Sequence, residues 1–112
     1  MLTLVSAPTV CEQPCVTLLR WRIYEVLGSD HFLVGHVVET GRERVTTPVV
    51  TLDVREMRAT SSSGRLYVLE GGPDKGNTAA YVWHWWSTGN TLGPWRDVTD
   101  DIWAKHRRAG AH

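Results

Sequence analysis

Apolar and polar residues alternate along the first half of the chain with the period of two that half-buried strands show. Over residues 16–27, Leu19, Trp21, Ile23 and Leu27 fall on one face, and Arg20, Arg22 and Tyr24 on the other. Gly28, Ser29 and Asp30 mark a turn. A second strand, rich in Val, Leu and Phe, returns over residues 31–38, and residues 39–42 read as another turn. Residues 45–54 form a third strand, in which Pro48 suits an edge position or the strand's start because proline has no N–H for a ladder. A hairpin follows, with residues 57–60 and 65–69 flanking Ser61, Ser62, Ser63 and Gly64. Taken as a four-residue loop, this sets Thr60 opposite Arg65, Ala59 opposite Leu66, Arg58 opposite Tyr67 and Met57 opposite Val68. Met57, Ala59, Leu66 and Val68 then make an apolar face, and Arg58, Thr60, Arg65 and Tyr67 the opposite one.

The period lengthens in the second half. Gly71, Gly72, Pro73 and Asp74 break the sheet. Asn77 or Thr78 can cap a helix that runs to about Thr88, with Gly89 as its left-handed C-cap. Residues 91–95 read as a loop. Thr99 can cap a short final helix with Asp100 and Asp101 in its first turn and Lys105, Arg107 and Arg108 in its last, which suits the helix dipole. Strands come first and helices second, so the fold class is α+β. It is an antiparallel sheet of four to five strands, built as a meander and hairpins. One main C-terminal helix and a short final helix follow, both on one side of the sheet. No helix stands between strands, so no parallel crossover is expected. Residues 1–14, with Pro8 and Pro14 and no periodicity, read as a flexible N-terminal arm, and residues 15–112 as a single domain.

Composition narrows the function. The chain of 112 residues holds 12 basic and 12 acidic side chains, a formal net charge of zero. That removes the usual electrostatic argument for a nucleic-acid or membrane partner. Six Trp are more than one small core hides easily. Cys11 and Cys15 are too close for a disulfide to stabilise much and fit free thiols in a reduced compartment. With no basic leader and no apolar run of membrane length, the protein is expected to be cytoplasmic. His31 and His36 point to opposite faces of one strand, and no zinc-finger spacing occurs, so neither metal nor cofactor is expected. The G-x-S-x-G, P-loop, G-x-G-x-x-G and H-E-x-x-H patterns are absent, which points away from an enzyme.

Two segments are candidate binding surfaces. In the main helix, Ala79, Val82, Trp83 and Trp86 gather in one stripe that should face the core. Tyr81 and Trp85 stand four apart on another flank with His84 beside them, the arrangement of an aromatic anchor. In the hairpin, Arg58, Arg65 and Tyr67 share a face with Arg55 nearby, a set that could grip an anion or stack on a base. The chain therefore reads as a small non-catalytic binding module acting through protein–protein contacts: an inhibitor, an immunity-type protein or an accessory protein, including one from a mobile element. Its partner would be another protein or a second copy in a homodimer. The alternatives are a nucleic-acid binder using the Arg/Tyr sheet face, which zero net charge disfavours, and a small-ligand binder or enzyme with a helix–sheet pocket near His84.

Overall fold

The longest strand organises the molecule. In the computed structural model, which describes residues 13–110, the elements run β1 (Cys15–Val26), β2 (Asp30–Val37), β3 (Arg42–Val45), β4 (Val49–Asp53), β5 (Arg58–Ser61), β6 (Leu66–Leu69), α1 (Thr78–Gly89), β7 (Trp95–Asp97) and α2 (Thr99–Gly110). The fold is α+β, a mostly antiparallel sheet followed by helices, as the order of patterns predicts. Its seven strands exceed the four or five expected. They lie in the order β3-β2-β1-β6-β5-β4, with β7 beside β1. One pair, β1 with β6, is parallel. The expectation of a purely antiparallel sheet rested on the absence of a crossover helix; here β2 to β5 themselves make the crossover. One flank of β1 holds β2. The other is shared: Cys15 to Leu18 pair with β6, and Tyr24 to Val26 with β7.

Chain connectivity forces this sheet to curl. β3 and β4 lie at opposite ends of the six-strand row, yet only residues 46–48 join them. Four Cα steps from Val45 to Val49 reach at most about 15 Å, whereas a flat row would hold its outer strands about 24 Å apart. The link is pinned on both sides. Thr46 N–H donates to the Leu33 carbonyl at 2.9 Å, and its Oγ1 accepts the Leu33 N–H at 3.0 Å. The Pro48 carbonyl accepts the Ser62 N–H at 2.7 Å. The single strand expected over residues 45–54 is thus two strands with a corner at Pro48. Val16, Leu18, Trp21, Ile23, Leu33, Val37, Ala59, Tyr67 and Leu69 fill the inside of the curl, and Val98, Ile102 and Trp103 pack against them.

β1 does not keep one phase. Its register against β2 shifts between Leu19 and Arg22, and Arg20 takes a φ of +46°. This bulge adds a residue to one strand and turns the side chains beyond it. Val16 and Leu18 before it, and Trp21 and Ile23 after it, therefore enter the same core. Beyond the bulge both faces of β1 are buried. Tyr24 and Val26 join Phe32, Val34, Ala79, Val82 and Trp83 in a second core under α1. Neighbouring strand residues point to opposite faces, so α1 and α2 cover opposite sides of the sheet, not one side as expected. Each spans 12 residues, and α2 is not shorter than α1.

The caps also differ from the sequence reading. Asn77 occupies the N-cap of α1 but makes no side-chain cap bond. The carboxylate of Asp74 does so instead, accepting the Gly76 N–H and the Ala79 N–H, both at 3.0 Å. At the other end Gly89 lies within the helix, and the left-handed residue is Thr91, with φ +52°. Thr91 N–H reaches the Thr88 carbonyl at 3.2 Å and Leu92 N–H the Ser87 carbonyl at 3.3 Å, a Schellman turn closed by a β-branched residue. α2 does begin at Thr99, but its hydroxyl serves β1. It accepts the Ile23 N–H at 2.8 Å and donates to the Ile23 carbonyl at 3.2 Å. Of the N-terminal arm, residues 1–12, including Cys11, lie outside the described residues. Gln13 and Pro14 are bound to the sheet through Arg44, Arg65 and Leu66.

Candidate functional site

α1 divides into the two flanks its spacing predicts. Ala79, Val82, Trp83 and Ser87 are buried and Trp86 partly so. Trp83 is gripped on several sides: it stacks on Tyr24, meets Trp95 edge to face and leans on Phe32 and Trp86. The outer flank is open. Tyr81 is 53% and Trp85 51% exposed, their ring centroids 6.2 Å apart at 67°. His84 lies edge-on to Trp85 at 6.0 Å. Such edge-to-face geometry suits the charge distribution of aromatic rings. Here it holds two large rings half in water with none of the described residues packed over them.

A second property marks the same region. Residues 76–95 contain no Asp, Glu, Lys or Arg, although 24 such residues (12 + 12) occur in the chain. This run of twenty supplies all of α1, the Schellman turn and Trp95, which is 45% exposed. A hollow of about 340 Å³ at the helix's C-terminal end, lined by Ser87, Thr88, Leu92, Gly93, Pro94 and Trp95, continues the uncharged surface. Tyr81, His84 and Trp85 follow from the helical spacing, whereas Thr88 and Trp95 join the same uncharged surface without a mark in that spacing. The length of the charge-free run was the signal that could have found them.

The hairpin surface does not form. Observed pairs are Thr60 with Leu66, Ala59 with Tyr67 and Arg58 with Val68, one residue out of the expected register. Ser61 extends β5, its N–H donates to the Arg65 carbonyl at 3.0 Å, and Gly64 turns the loop with φ +89°. A slip of one residue exchanges the faces of a strand. Tyr67 is therefore 2% exposed inside the curl and Arg65 5% exposed, its Nε donating to the Gln13 carbonyl at 2.8 Å. Arg58 is exposed on the other face, and Arg55 lies in the β4–β5 turn. Arg58, Arg65 and Tyr67 share no surface, and the Tyr67 ring is not available to stack on a base.

A polar network beside the aromatic core ties the sheet to both helices. Arg22 Nε donates to Asp97 Oδ2 at 2.7 Å, Nη1 to the Asp74 carbonyl at 2.7 Å and Nη2 to Asp100 Oδ1 at 3.3 Å. Burial presses Asp97 toward its neutral form, but hydrogen bonds from Arg22 and Thr99 outweigh it and hold the carboxyl below its ordinary value. Burial, reinforced by the charge on Asp97, pushes the Tyr24 phenol up to about 12. Among the described residues, the Tyr24 hydroxyl and Trp83 Nε1 are both buried without a hydrogen-bond partner, so ring packing is what holds this cluster there.

The described histidines and Cys15 lie apart from one another. His31 meets Glu25 at 3.3 Å and His36 meets Glu43 at 2.9 Å, each on its own. Cys15 is exposed and free. Among the described residues no three His, Cys, Asp or Glu side chains converge to hold an ion. His84 itself is exposed on the outer flank of α1. A groove of about 450 Å³ separates α2 from the end of β4, lined by Leu52, Asp53, Val54, Arg55, Ile102, Lys105 and His106.

No family model, curated protein or solved structure matches this chain. No helix among the described residues is long and apolar enough to cross a membrane.

Proposed function

We propose that the protein is a non-catalytic binding module that engages another protein through the outer flank of α1. The observation behind this reading is the charge-free run over residues 76–95 with Tyr81 and Trp85 half-exposed at its centre. Interface cores are depleted of charged residues and enriched in Tyr and Trp, and a few such anchors supply most of the binding energy. A surface helix with no charge on its solvent side is poorly suited to water alone. A second copy of the chain is the homotypic version of the same reading.

The test compares the wild-type chain with Trp85→Glu and with Val50→Glu, a substitution at an exposed β4 residue away from α1. Light scattering after size exclusion reads self-association, and affinity capture reads outside partners. The reading predicts that Trp85→Glu abolishes dimerisation or partner capture while Val50→Glu retains it. Equal behaviour of all three chains in both assays would refute it.

A further inference from the structure

We propose that the groove between α2 and the end of β4 binds a small organic anion with an apolar body, a monocarboxylate in the simplest case. It lies on the side of the sheet opposite α1 and does not depend on the function proposed for that helix.

The groove has the two parts such a ligand needs. Leu52 and Ile102 are partly buried and continuous with the core inside the curl, and Val54 extends the apolar lining. Arg55 from the β4–β5 turn and Lys105 from α2 are exposed cations on its lining. Neither forms an ion pair with another described residue. One carboxylate, Asp53, also lines the groove, and its Oδ1 accepts the Glu56 N–H at 3.1 Å. Two cations therefore face one acceptor already engaged by the turn. The remaining wall is built of packed rings: the His106 ring stacks on Trp103 at 5.0 Å and 30°, and Trp103 meets the buried Trp21 edge to face at 5.6 Å. A volume of about 450 Å³ falls in the range of small-molecule sites, which combine mostly apolar walls with a few placed polar groups. An apolar body in the groove would cover Leu52 and Ile102, and its carboxylate would meet the two cations at the rim. A neutral body would gain only the first of these.

The experiment is a ¹H–¹⁵N NMR titration of the full chain with hexanoate, and in parallel with 1-hexanol as the neutral counterpart. The expected result is saturable shifts at the amides of residues 52–55 and 102–106 with hexanoate. Hexanol should bind there several-fold more weakly. Arg55→Gln with Lys105→Gln should loosen hexanoate by about fivefold, the scale of two exposed charge contacts. Both residues are exposed, so the amide spectrum of the double variant should otherwise match the wild type. Absence of saturation by about 10 mM, a range that still detects millimolar affinity, would overturn the proposal. So would equal binding of hexanol, unchanged hexanoate affinity in the double variant, or shifts confined to α1.

Discussion

The phenol ring of Tyr24 lies flat on the indole of Trp83, with centroids 4.6 Å apart and planes 6° from parallel. The stack joins the central strand to α1, and both of its polar atoms are buried without partners among the described residues. Removing an unsatisfied buried hydroxyl costs little, because no hydrogen bond is lost. Tyr24→Phe should change stability at pH 7 by less than about 1 kcal/mol, with gain more expected than loss, in urea denaturation. The high-pH behaviour should differ more. The folded phenol, at about 12, holds its proton more tightly than an unfolded tyrosine near 10. The unfolded chain therefore binds fewer protons between those values, and stability falls as pH rises through that window, while it is unaffected below it. The wild type should lose stability relative to Tyr24→Phe from about pH 10 to 12; parallel curves would contradict the assignment.

Trp83 and Trp85 are two residues apart and should differ sharply when cut back to alanine. Trp83 is 0% exposed, and its loss should cost about 3–5 kcal/mol. Trp85→Ala, on the open flank, should stay within about 1 kcal/mol of wild type. Chemical denaturation of both variants checks this, and a large cost at Trp85 would mean that the flank is covered in solution.

The bulge in β1 depends on a close approach by β2. A Cβ at Gly35 would stand 3.1 Å from the Leu19 carbonyl oxygen and 3.3 Å from both Trp21 Cα and Cβ. These are mainly backbone atoms of the central strand and cannot swing aside. Gly35→Ala should destabilise by about 1–3 kcal/mol, the usual cost of overpacking, measured by thermal or urea unfolding.

The turn after α1 holds a stabilising opportunity. Thr91 sits at φ +52°, where a β-branched side chain is strained. Thr91→Gly should raise stability by about 0.5–1 kcal/mol, the strain relieved less the extra chain entropy of glycine. A drop in melting temperature would count against the strain.

Much of the fold was legible because it is local. Strand positions follow from alternation, α1 from its inward stripe of Ala79, Val82 and Trp83, and the open flank from Tyr81 and Trp85 standing off that stripe. What was not legible depends on distant parts of the chain. The face of each hairpin residue turned on whether Ser61 closed the loop or ended the strand, and Tyr67 is drawn inward by a core assembled from β1, β2 and α2. The phase change at Arg20 leaves no mark in the pattern, since Trp21 and Tyr24 are both large and apolar and both become buried. β7 is three exposed residues whose strand character comes from pairing with β1.

The arrangement around β1 has a consequence for synthesis. Its first neighbour, β2, follows directly, but the other flank waits for β6 and then for β7 and Thr99, the last of these 76 residues beyond Ile23. At about 5–20 residues per second on the ribosome, that flank stays bare for roughly 4–15 seconds. During this interval the nascent chain presents an unpaired edge rich in Val, Leu, Trp, Ile and Tyr, the kind of edge that recruits other strands. Translation that stalls before α2 emerges should therefore yield aggregation-prone fragments, while the completed chain closes that edge from within.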